Sequence, residues 1–179
     1  CGFNCPSQNL ANAYKTDANG LPLLDGSYNG GLNVSDPTSP YIGTLDPRID
    51  WAIGRKGIPY LDWGPHPGDS WIRDVANNGH FNPKKNVYAF GQKGTLSGTE
   101  SYWASTELTA NNVNMIRFAD VLLWAAEADV KLGDAATAVT LVNRVRNSAP
   151  DPTGWVHKHP THDFSKGRYS TQTTPRANN

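Results

Sequence analysis

The chain has 179 residues, with 16 basic and 16 acidic side chains and a formal net charge of zero. That length suffices for one domain with a core, but balanced charge argues against nucleic acid, whose phosphates call for a basic face, and against electrostatic membrane attachment. No apolar run reaches the roughly 18 residues of a membrane-spanning helix, and the opening residues lack the pattern of a signal peptide.

Seven Tyr and six Trp, with 17 Gly and 13 Pro, leave many rings to place among many loops. Cys1 and Cys5 are the only cysteines. A first-residue cysteine is what a processed bacterial lipoprotein shows; it is also what a chain cut from a longer one shows, and we take the cut. A Cys1–Cys5 disulfide is sterically conceivable, and so short a loop would gain little from it.

In chain order, residues 6–16 (PSQNLANAYKT) predict a short helix capped by Ser7, with Leu10, Ala13 and Tyr14 on one face. Residues 17–48 are rich in Asp, Asn, Gly, Ser and Pro and read as a long loop. IDWAIG (49–54) and NVYAF (86–90) look like short strands. Between them lies GIPYLDWG (57–64), an aromatic loop bracketed by glycine and proline, followed by HPGDSWIRD with Trp71, Arg73 and Asp74.

The strongest periodicity starts at Val113 and predicts two helices. The first runs to about Leu132, with Ile116, Ala119, Leu123 and Ala126 on one apolar face that Leu122 and Val130 widen. Gly133 suits its C-terminal cap, and Asp134 caps a second helix over 135–147 with Ala135, Ala138, Val142 and Val145 facing inward. Counting Ala119 as the first position, small residues recur at Ala126 and Ala138, the turn falls at Gly133 and a proline stands at Pro150. That is tetratricopeptide spacing, and one such repeat cannot bury its own face. The expected fold is therefore mainly α with long loops: a loop-rich region (1–112) with a few short strands, a tetratricopeptide-like helix pair (113–150) and an irregular tail (151–179).

Several blocks occur together and in order: PSQNLANAYKT followed by NG (6–20), DPRIDW (46–51), GIPYLDWG (57–64), and MIRFADVLLWAAEADVKLGD with VNRVRNSA (115–149). In this the chain resembles the C-terminal portion of a SusD/RagB-family protein, RFADVLLWAAEA being the most specific block. The resemblance implies a mostly helical tetratricopeptide scaffold with a loop-rich remainder. It implies a lipoprotein on the extracellular face of the Bacteroidota outer membrane, binding oligosaccharide without cleaving it and working with a TonB-dependent SusC-like transporter. It implies no enzyme and no cofactor. Other repeats, and the lipid anchor that would be the only membrane attachment, would lie in an N-terminal part outside this sequence. Cys1 would then not be the anchor.

Sugars offer C–H faces to flat rings and hydroxyls to polar side chains, so exposed aromatics with polar neighbours mark a glycan site. The candidates are Tyr60, Trp63 and Trp71, with Asp62, Arg73 and Asn78 as polar partners. The competing role for each ring is packing against the scaffold, and GIPYLDWG is expected to do both. Trp51 and Trp103 read as structural, while Trp124 lies off the main stripe and could meet a neighbouring repeat.

His157, His159 and His162 (HKHPTH) read as a solvated loop rather than a metal site. Asp62, Asp74 and Glu100 could be imagined as a glycosidase pair but read as solvated acids, and no Walker loop, GxSxG elbow or HExxH motif appears. Arg117, Asp120 and Glu127 are placed for intrahelical ion pairs or for contacts outside the helix. Three functions compete: glycan binding, tetratricopeptide-type recognition of a protein, and glycan cleavage. The loop-borne aromatics favour the first.

Overall fold

A computed structural model describes residues 4–36, 38, 39, 41–99 and 107–147. They divide into a loop-rich unit ending at Asn112 and a helical unit beginning at Val113. Cys1, Glu100, Trp103, Pro150, Trp155 and the three tail histidines lie outside the described residues.

The loop-rich unit begins with α1, Gln8–Asn12, capped as expected by the Ser7 hydroxyl accepting from the Leu10 N–H. Its buried face is not the expected one. Leu10 and Ala13 are exposed and Tyr14 is half-buried, while Ala11 and Asn12 are buried. The reason is polar. The Asn12 amide donates to Asn33 at 2.8 Å and accepts from the Val34 N–H at 3.0 Å. One buried amide thus orders the long loop that follows, whose backbone has few regular partners. Lys15, 2% exposed, helps in the same way: its ammonium donates to the Gly30 carbonyl and lies 5.0 Å from the Tyr41 ring centroid.

IDWAIG is mostly not a strand. It forms α2, Ile49–Ala52, and then β1, Ile53–Gly54. Asp46 starts the turn: its carboxylate accepts from the Arg48 N–H and its carbonyl from the Ile49 N–H. The helical turn lets Ile49 and Ile53, both 0% exposed, reach one core with Ala11, Val34, Leu45 and Phe81. β1 pairs antiparallel with β2, Asn82–Pro83, placing Ile53 opposite Pro83 and Gly54 opposite Asn82. The strand expected at NVYAF is absent; the sheet partner is Asn82–Pro83, and the segment runs instead into a 3₁₀ turn over Phe90–Gln92. α3, Val75–Asn78, is capped by Asp74. A second antiparallel pair joins β3, Ser97–Thr99, to β4, Glu107–Thr109.

Two buried charges fix α2 and β1 to their surroundings. Asp50 is fully buried and takes the Arg55 guanidinium on both oxygens, at 2.5 and 2.8 Å. Lys84, 5% exposed, donates to the carbonyls of Asp50 and Pro59. Burial pulls the Lys84 pKa down from 10.5 to about 8.

This gives a testable pH dependence. The unfolded lysine keeps its ordinary value of 10.5. Between about pH 8 and about pH 10.5 the unfolded state therefore holds a proton that the folded state has released, and stability rises with pH across that window. Urea unfolding of wild type and Lys84→Met should show a stability difference that shifts in favour of the wild type from pH 7.5 to pH 10. A difference independent of pH would contradict the assignment.

The helical unit holds α4, Phe118–Lys131, and α5, Ala135–Arg146. The helices pack on each other, and their most buried residues are Ala126 and Ala138, the small residues picked out by the tetratricopeptide spacing. Gly133 turns the chain at φ +86°, a left-handed backbone that favours glycine. Asp134 caps α5 through the Thr137 N–H and hydroxyl, as expected.

α4 begins later than the predicted Val113. The Asp120 carboxylate accepts from the Arg117 N–H and guanidinium, setting the helix start at Phe118. Ile116 therefore precedes the helix and is exposed, as are Leu123 and Val130 of the predicted stripe. Phe118 and Trp124 are also exposed, and the Arg144 guanidinium lies 5.3 Å from the Phe118 ring centroid. Among the charged trio, Arg117 pairs with Asp120, and Glu127 pairs with Lys131. The architecture is mainly helical with long loops and a few short strands.

Candidate functional site

GIPYLDWG closes a narrow hairpin. The Gly57 N–H donates to the His66 carbonyl, the His66 N–H to Ile58, and the Tyr60 N–H to Gly64. Two left-handed residues turn it: Leu61 at φ +51° and Gly64 at φ +88°.

The hairpin sorts its rings. Tyr60 is 7% exposed, and its hydroxyl donates to the Pro83 carbonyl. Its ring covers the Gly54 backbone so closely that a Cβ there would come within 2.5 Å of it. Burial pushes the Tyr60 phenol up to about 12. This ring belongs to the scaffold and offers no open face to a ligand.

What Tyr60 does is seat Trp71. The Trp71 ring stands edge-on to Tyr60, with centroids 5.7 Å apart, and His66 lies 5.4 Å from both. His66 is 1% exposed, and its Nδ1 accepts the Gly68 N–H at 3.0 Å, so the ring proton sits on Nε2. Nε2 is buried with no hydrogen-bond partner among the described residues. Burial, with the nearby Lys84 charge, pulls the His66 pKa down and keeps the imidazole neutral. On this base Trp71 remains 37% exposed, carried by the 3₁₀ turn Asp69–Trp71.

Asp62 and Trp63 face another segment. The Asp62 carboxylate accepts from the N–H groups of Phe90 and Gly91, which hold its pKa down. The Trp63 indole N–H donates to the Tyr88 carbonyl at 3.0 Å. Its ring is half-buried, edge-on to Tyr88 and to Phe90, and the Phe90 ring is exposed. Arg73 is exposed, and Asn78 is half-buried at the end of α3. The predicted residues thus fall into two groups: Tyr60 with Trp71, and Asp62 with Trp63. Arg73 and Asn78 join neither through a described contact.

Sequence reasoning missed His66, Tyr88 and Phe90. His66 stands between prolines in GPHPG, a signal of restrained backbone that does not announce burial. Phe90 was hidden by reading NVYAF as a strand. Trp51, expected to be structural, is 52% exposed.

The turn that carries Trp71 also walls a cavity of about 490 Å³, within the range of small-ligand sites. Val34, Leu45 and Ile58 supply apolar lining, and Asp36, Tyr41, Arg55, Lys56, Asp69 and His80 supply polar lining. No group of three His, Cys, Asp or Glu among the described residues is placed to hold a metal ion. No helix among them is long and apolar enough to cross a membrane.

A helix pair closed on small residues thus stands in one chain with a loop unit that sets a tryptophan and a polar cavity on a single turn. The chain belongs to the SusD family, whose model matches residues 1–175. No curated protein and no solved structure matches it.

Proposed function

We propose that the chain binds glycans at the bacterial cell surface without cleaving them and delivers them to a TonB-dependent SusC-like transporter. The observation that carries this reading is the family match over residues 1–175. The protein is then an outer-membrane lipoprotein on the extracellular face. Trp71 supplies the ring on which a sugar stacks. A binding rather than hydrolytic role is supported by the acids: Asp62 and Asp74 each cap backbone N–H groups, which leaves them poorly placed as a proton-transfer pair. A second reading, a protein contact, draws on the exposed Phe118, Val121 and Trp124 of α4.

Affinity gels cast with polysaccharides test the proposal. The chain should be retarded by at least one glycan without release of reducing sugar. Trp71→Ala should weaken retardation about tenfold, while Trp71→Phe keeps most of it. Retardation by no glycan would overturn the proposal, and capture of a protein in its place would support the second reading. Release of reducing sugar would establish an enzyme.

A further inference from the structure

The cavity beside Trp71 carries charges of both signs, and most are already matched. Arg55 is committed to the buried Asp50. His80 Nδ1 lies 2.9 Å from the Asp69 carboxylate. Asp36 accepts from the N–H groups of Thr38 and Ser39, both at 2.8 Å, and these bonds, with the nearby His80, hold its pKa down and keep it anionic. Lys56 has no ion partner among the described residues. Its stem lies along Gly68, where a Cβ would come within 3.0 Å of the lysine Cδ. Lys56 is exposed and is among the residues that line the cavity.

We propose that this cavity seats a neutral, hydroxyl-rich sugar of the bound glycan, and that Lys56 and Asp36 together select against charged sugars. The inference rests on the glycan-binding reading and deepens it. A sugar hydroxyl donates and accepts at once, so the hydroxyls of one ring can satisfy both a carboxylate and an ammonium that line the same cavity. Neither partner is then left desolvated and unpaired. A uronate would bring its charge against Asp36, and an amino-sugar cation would bring its charge against Lys56. Apolar Val34, Leu45 and Ile58 among the lining residues suit the C–H face of a neutral ring.

Affinity gels with starch, dextran and galactomannan, beside polygalacturonate and chitosan, test the selection on the full chain. At least one neutral glycan should be bound, and both charged polymers should bind at least tenfold more weakly. Lys56→Met and Asp36→Asn should each weaken neutral binding about tenfold, the loss expected for one charge-assisted hydrogen bond. Asp36→Asn should also relax the discrimination against polygalacturonate. Thermal melts matching wild type confirm that both variants fold, and Lys56→Gln provides a second probe of the same contact. Preference for a charged polymer overturns the inference. So does wild-type binding by both cavity variants while Trp71→Ala loses it, an outcome that leaves the glycan-binding reading standing. Binding of none of the five polymers sinks both.

Discussion

Asp50→Ala should lower the stability of the loop-rich unit by about 3–5 kcal/mol, the usual cost of removing one partner from a buried ion pair. Asp50 has no exposure, and the Arg55 side chain retains only 15% of its surface. Alanine would leave a guanidinium with both charge-assisted bonds broken and little access to water. Much of the loss should be recovered in Asp50→Ala/Arg55→Met, which removes the stranded charge and keeps an apolar stem of similar length. Urea unfolding of the two variants checks this. A loss below about 1 kcal/mol for the single variant would mean that Arg55 rehydrates freely, and the pair could then no longer be counted as buried.

Tyr60→Ala should cost about 3–5 kcal/mol, the usual loss for deleting a buried ring. Tyr60→Phe should cost only about 1–2 kcal/mol, because it keeps the ring and breaks one hydrogen bond to the Pro83 carbonyl. The two variants also separate support from contact at the candidate site. Trp71 leans on Tyr60 at 5.7 Å between centroids. Glycan affinity should therefore fall in Tyr60→Ala, whose tryptophan has lost its seat, and stay near wild type in Tyr60→Phe. Equal loss in both would make the hydroxyl itself a ligand contact, contrary to its bond to Pro83.

The helix pair was legible in the sequence because its signals are local. Asp134, Gly133 and the alanines at 126 and 138 each act within a turn or between two adjacent helices, and all behave as the spacing predicts. The start of α4 was misjudged because the Arg117–Asp120 bonds end the helix inside an apolar run that periodicity alone would continue. IDWAIG misled for a related reason. Its residues favour strands, yet Ile49 and Ile53 reach the core at helical spacing once Asp46 has turned the chain.

The site was less legible. Tyr60, Trp63 and Trp71 are alike by type, and what separates them is a partner elsewhere in the chain: Pro83 for Tyr60, Tyr88 for Trp63, His66 for Trp71. Buried lysines such as Lys15 and Lys84 run against the residue's usual exposure, so no propensity would have found them.

The described hydrogen bonds from Asp62 and Trp63 to residues 88–91 go to main-chain groups: the carbonyl of Tyr88 and the N–H groups of Phe90 and Gly91. Almost any amino acid supplies those groups. Those bonds alone leave the letters at 88–91 open, and it is the edge-on packing of Trp63 against Tyr88 and Phe90 that asks for rings there. The number of residues is not open, since one inserted or deleted residue would slide the peptide groups out of reach of both side chains. The stretch that sets the exposed ring of Phe90 is thus held to a fixed length by its main-chain bonds, and another aromatic at 90 would keep the edge-on contact with Trp63.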